Sequence, residues 1–164
     1  DTFKRLNQNL EDFELILNNF GLSNNKEELV LYKSDLGSDY ASIYKSEKSD
    51  ASEMIRLNTL DDYCNEHTID HIDFLKIDVE GHELRCLQGA VRMLQEHKIK
   101  YIQFEFGISN IYSRVFFKDI FDFLTNHGYE IGRILKNGVI PIKQYHHSLE
   151  VFYTTNYLAK ASNR

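Results

Sequence analysis

The sequence predicts an α/β domain with a doubly wound sheet whose later strands run parallel and whose edge is an antiparallel hairpin. Three observations carry this. Strand-like and helix-like segments alternate from Phe74 onward, as in a parallel sheet. The run Phe74-Leu75-Lys76-Ile77-Asp78-Val79-Glu80-Gly81 reads as an apolar strand that ends in charge and a glycine before a helix. Asn137-Gly138, between two apolar strands, is a hairpin signal and reverses the chain at the sheet's edge.

Taken in order, residues 2–10 have Phe3, Leu6 and Leu10 at helical spacing. Residues 13–20 (FELILNNF) read as a strand, Gly21-Leu22-Ser23-Asn24-Asn25 as a turn, and 28–32 (ELVLY) as a second strand. The Ser- and Asp-rich stretch 34–52 reads as a mobile surface loop. A short strand covers 54–57. A short helix then starts at Asn58 or Thr59, with Asp61 and Asp62 in its first turn, and ends near His67.

Residues 74–79 form the central strand. Helix 83–96 sets Leu84, Leu87, Val91 and Leu94 on one face. Strand 101–106 (YIQFEF) follows. Helix 116–126 turns Phe117, Ile120, Phe121 and Leu124 inward and stops at Gly128. Strands 129–135 and 139–142 flank the hairpin, and 149–155 is the last strand. The domain spans 1–157, with a polar tail at 158–164.

The chain has 164 residues, 42% hydrophobic and 27% charged, a soluble globular composition of single-domain size. Its net charge of −6 provides no basic field for nucleic acid or an anionic membrane. No apolar run approaches the roughly 20 residues that span a bilayer, and no signal-peptide pattern opens the sequence. Cys64 and Cys86 lack metal-ligand spacing, so a reduced, cytoplasmic protein is expected. No Gly-x-Gly-x-x-Gly follows a strand, which argues against a dinucleotide-dependent dehydrogenase.

In open α/β sheets ligands bind outside the carboxyl ends of the strands. Lys76, Asp78 and Glu80 interrupt a run expected to be apolar on both faces, where charge is costly unless it pairs or works. Capping of the following helix is the alternative for the two acids. Lys76 holds Glu80 or an anionic substrate, or forms an ion pair within the strand layer. His82 is a candidate for proton transfer, against an exposed loop histidine without a role. Glu105, near the end of the next strand, points to the same sheet edge. A substrate-orienting role is preferred for it over sharing a divalent cation with Asp78, and no metal is expected. Tyr112, Tyr145, His146 and His147 could line an acceptor pocket, though solvated loops are the stronger reading. Gly81 and Gly89 serve backbone geometry and helix packing.

These residues resemble the FkbM-type methyltransferase family, within the S-adenosylmethionine-dependent Rossmann-like methyltransferases. The matching pieces are Thr59-Leu60-Asp61-Asp62-Tyr63, Phe74 to Gly81 (FLKIDVEG), Glu83-Leu84 with Leu87-Gln88-Gly89-Ala90, Ile102-Gln103-Phe104-Glu105, and Phe121 to Tyr129 (FDFLTNHGY). They cover nearly all of residues 1–155. The resemblance implies a Rossmann-like class I sheet, S-adenosylmethionine as cofactor, and O-directed transfer to a small hydroxyl compound such as a saccharide. It implies Asp78 as a cofactor or acceptor contact and Glu80 as the general base, and it sets Gly21-Leu22-Ser23 near the adenine ring. The family's glycine-rich Asp-x-Gly-Ala-Asn-x-Gly loop and the acid ending its second strand are absent from this sequence. The expectation is therefore the C-terminal two-thirds of a methyltransferase domain, with weak cofactor binding by itself. The alternative is a non-catalytic or truncated domain that serves as an interaction module.

Overall fold

The computed structural model describes residues 2–10, 14–34, 37–47 and 49–162. Helix α1 (Thr2–Asn9) comes first, followed by strands β1 (Gly21–Leu22), β2 (Glu27–Ser34), β3 (Gly37–Ser42) and β4 (Ala51–Asn58). Then come α2 (Leu60–Glu66), β5 (Ile72–Ile77), α3 (Glu83–Gln88), α4 (Val91–Gln95) and β6 (Ile99–Phe106). The chain continues with α5 (Ser109–Ser113), α6 (Phe117–Asn126), β7 (Tyr129–Leu135), β8 (Gly138–Ile142) and β9 (Thr155–Ala161).

The α/β class holds, with mixed pairing, but one doubly wound sheet does not. The described strands form two sheets, β1-β4-β2-β3 and β5-β6-β9-β7-β8. Only β1–β4 and β5–β6 pair in parallel; the other ladders are antiparallel. The β7–β8 hairpin lies at the sheet edge as expected. β5, expected at the centre, is the opposite edge of its sheet among the described residues. The register sets Phe74, Lys76 and Asp78 on the same face as Tyr101, Gln103 and Glu105. That face is half-open: Phe74 is 52% exposed, and Lys76 and Asp78 are exposed. The charges on β5 thus avoid the desolvation that a strand buried on both faces would impose.

The opposite face holds the core. Leu87, Met93, Leu94, Ile102, Phe104, Phe106, Phe117, Ile120, Leu124 and Tyr157 are fully buried there. Phe104 and Phe117 pack on the Tyr157 ring, with centroids 5.5 and 4.4 Å from it.

Several boundaries differ from expectation. Residues 14–20 carry no strand, and residue 13 lies outside the described residues. Pairing starts instead at Gly21–Leu22, which the residue types marked as a turn. The stretch 34–52 contains β3 and the start of β4, residues 35, 36 and 48 lying outside the described ones. Helix 83–96 breaks into α3 and α4 at Gly89-Ala90.

The last strand is β9, not 149–155, so residues 158–161 are strand rather than tail. β9 lies between β6 and β7, with Thr155, Tyr157 and Ala159 inward and Asn156, Leu158 and Lys160 toward the half-open face. A strand wetted on one side looks polar to a search for apolar runs.

The LDDY segment works as a double cap. Thr59 Oγ1 accepts from the Asp62 N–H at 3.1 Å and opens α2. The Asp61 carboxylate accepts from the N–H groups of Arg92 (2.8 Å) and Met93 (3.1 Å) and so caps α4, while its own N–H donates to Gly89 O at 2.9 Å. Capping thus occupies the Thr59 hydroxyl and the Asp61 carboxylate.

Candidate functional site

The parallel pair β5–β6 aligns Ile77 with Phe104, so the two chains leave the sheet at a common end. There Asp78, Glu80 and Glu105 each present a carboxylate oxygen, all within 4.8 Å of one another. The sequence reading named all three. Lys76 joins them by pairing with Asp78, Nζ to Oδ2 2.6 Å, rather than with Glu80. Burial raises the Glu105 carboxyl above its ordinary range, the charges of Asp78 and Glu80 add to this, and Lys76 opposes it. Oxygen donors at this spacing suit a divalent cation in type, but Lys76 already engages Asp78 and a serine engages Glu80.

Glu80 sits in a turn that needs support. Its φ is +52°, a left-handed conformation uncommon outside glycine, and Gly81 follows at +97°. A side chain on Gly81 would bring its Cβ to 2.7 Å from the Ser109 carbonyl oxygen. Ser109 Oγ donates to Glu80 Oε2 at 2.5 Å, and Ser42 Oγ donates to the Glu80 carbonyl at 2.8 Å. Beneath the turn, Glu83 Oε1 accepts from the N–H groups of Val79 and Gly81, each at 3.2 Å. Glu83 is only 2% exposed, and its Oε2 has no hydrogen-bond partner among the described residues. Burial pushes its carboxyl up to about 7 against the backbone N–H groups of Glu83 itself, Gly81 and Val79, and Glu105 adds to the rise.

His82 is 7% exposed, not an exposed loop residue. Its Nδ1 lies 3.0 Å from the Tyr44 hydroxyl and its Nε2 3.0 Å from Ser23 Oγ. Burial, with a smaller contribution from Arg85, lowers its pKa to about 4, so the ring is neutral near pH 7. Both nitrogens are engaged, which leaves neither free to carry a substrate proton.

Of the three residues read as a cofactor turn, Ser23 is fully buried beside His82, and Leu22 O accepts from Cys86 Sγ at 3.0 Å. Gly21 lines a cleft with Phe3, Asn18, Phe20, Leu31 and Met54, whose lining includes none of the three clustered carboxylates. Tyr145 donates to Glu150 at 2.9 Å, and His146 bonds Ser148 at 2.8 Å, so both engage partners within their own segment. The His147 ring lies 4.0 Å from that of His146, and Tyr112 is exposed.

Sequence reasoning missed Glu83, Ser109, Ser42 and Tyr44. An acid three residues after Glu80, at the start of a helix, was a signal for Glu83. The other three meet their partners 29 or 38 residues away, and nothing local announces that.

Among curated protein sequences none matches this chain. The family described as "Methyltransferase FkbM domain" matches residues 2–131. Among solved structures, the chain is similar to the crystal structure of Methyltransferase FkbM from Methylobacillus flagellatus KT, with a TM-score of 0.53 and 19% identity. The match covers 96% of this chain and 32% of that one, so this chain spans about a third of that protein's length. At such identity the likeness is one of fold. Among the described residues no helix is long and apolar enough to cross a membrane.

Proposed function

The chain belongs to the FkbM methyltransferase domain family, and from that premise we propose that it takes part in S-adenosylmethionine-dependent O-methylation of a small hydroxyl compound such as a saccharide. The observation that carries this reading is the convergence of Asp78, Glu80 and Glu105 at the carboxyl ends of a parallel strand pair. A carboxylate-rich strand end suits a cationic donor, and the residues fit the cofactor in that respect. Asp78 would hold it; of the turn 21–23, Ser23 is buried against His82, Leu22 O is taken by Cys86 and Gly21 lines a cleft that includes none of the three carboxylates, so these residues are not assigned to the cofactor. When bound, S-adenosylmethionine supplies the methyl group.

The chain's own residues perform the rest. Glu80 accepts the proton of the acceptor hydroxyl as the new oxygen–carbon bond forms. Its turn conformation and the Ser109 hydrogen bond fix the direction of the carboxylate before substrate arrives. Lys76 holds Asp78, and Glu105 orients acceptor hydroxyls. His82 enters as a support rather than a proton carrier. Two buried free cysteines suit a reducing, cytoplasmic setting.

The test is transfer of a labelled methyl group from the cofactor to a panel of saccharides and polyols at saturating cofactor. Glu80→Gln should lower kcat about 10²-fold or more with little change in cofactor affinity. Undiminished turnover would remove Glu80 from the mechanism. No transfer to any hydroxyl, with transfer to amines, would overturn the O-directed reading.

A further inference from the structure

We propose that the end of β3 and the residues just after it form a positioning element for Glu80, acting through Ser42, Tyr44 and His82. The inference rests on the reading of Glu80 as the base. Three side chains, Ser42, Ser109 and Glu83, hydrogen-bond to the left-handed pair Glu80-Gly81, and Tyr44 holds the adjoining His82. Glu83 and Ser109 belong to segments that follow β5 and β6, the strands that carry the carboxylates. Ser42 ends β3 of the other sheet and Tyr44 follows it, each 38 residues distant in sequence from its partner.

The Ser42 hydroxyl is engaged as both acceptor and donor. It accepts from the Tyr44 N–H at 3.1 Å and donates to the Glu80 carbonyl at 2.8 Å. The hydrogen-bond directions through His82 are fixed by the end of the chain of contacts. Ser23 Oγ donates to Asn24 Oδ1 at 3.2 Å, an oxygen that only accepts. Ser23 Oγ therefore accepts from His82 Nε2–H. Nδ1 is then the bare nitrogen, and the Tyr44 hydroxyl donates to it. Ser23 is itself tied to β4, its N–H donating to Asn58 O at 2.9 Å. His82 is thus suspended between two points of the first sheet, one after β1 and one after β3, and it adjoins the turn that aims Glu80. A shift at the end of β3 reaches the Glu80 backbone through one hydrogen bond and the His82 ring through another.

The test compares the full chain with its Tyr44→Phe, Ser42→Ala and Ser42→Thr variants, folding being confirmed by circular dichroism. Nitrogen NMR of the His82 ring should report the Nε2–H tautomer in the parent chain and a displaced Nδ1 resonance in Tyr44→Phe. The side-chain carboxyl resonance of Glu80 should move in Tyr44→Phe and Ser42→Ala and return in Ser42→Thr, which keeps the hydroxyl. In methyl transfer the first two variants should lose about tenfold or more in kcat with KM for cofactor unchanged. Should Ser42→Ala not fold, Tyr44→Phe, which keeps the ring, decides. A Glu80 carboxyl indifferent to the loss of the Tyr44 hydroxyl overturns the proposal. In a parent chain without transferase activity, the carboxyl resonance and the His82 tautomer decide the positioning by themselves.

Discussion

A β-carbon on Gly89 would stand 2.0 Å from the carbonyl oxygen of Ser23, so the break between α3 and α4 touches the chain leaving β1 through bare backbone. Neither partner has a rotamer with which to yield. Gly89→Ala should destabilise the fold by about 3 kcal/mol, read as a fall in the urea midpoint at constant slope. An unchanged midpoint would mean that this approach is looser than described.

The buried pair His82 and Glu83 pulls stability in opposite directions with pH. His82 stays neutral in the folded state down to about 4, whereas in the unfolded chain it takes a proton near 6.5. Between those values the unfolded state holds more protons, so stability falls as pH drops. Glu83 keeps its proton up to about 7 when folded and releases it near 4.5 when unfolded. Across that window stability falls as pH rises. The slopes oppose each other from 4.5 to 6.5. In Glu83→Gln the histidine slope stands alone, so the variant should gain roughly 3 kcal/mol relative to the parent chain between pH 4.5 and 7. Melting curves across that range check it.

Asp61 joins α2 to α4. Asp61→Ala removes two charge-assisted hydrogen bonds from the start of α4 and should cost about 1–2 kcal/mol in urea denaturation. Thr59→Ala removes the cap of α2 and should cost about 1 kcal/mol by the same measurement.

The two faces of the second sheet predict a contrast between two phenylalanines. Phe117 has no exposed surface and packs on Phe104, Phe106 and Tyr157, so Phe117→Ala should cost about 3–5 kcal/mol. Phe74 lies half-exposed on the opposite face, and Phe74→Ala should cost less than about 1 kcal/mol. Equal losses in chemical denaturation would contradict a half-open face.

Where local pattern and tertiary burial agree, the sequence is legible. Helix α6, strand β7 and the hairpin fall within a residue or so of expectation, because apolar spacing, a glycine stop and Asn137-Gly138 all point the same way. The meeting of Asp78, Glu80 and Glu105 was legible because parallel strands end on one side of a sheet, whereas the desolvation cost expected for the β5 charges is absent on its half-open face. Strands β3 and β9 were not, since their pairing supplies what their composition does not advertise. His82 was misjudged for a related reason. Its burial is made by Tyr44 and Ser23, side chains remote in sequence.

The position of β9 also governs when this sheet can assemble. β6 and β7 do not touch as neighbours; each hydrogen-bonds to β9, which leaves the ribosome after both of them. Until residue 161 emerges from the exit tunnel, two strands wait with unpaired edges around an empty slot. Synthesis of this half therefore ends with a vulnerable interval, in which chaperone capture or intermolecular strand exchange competes with closure.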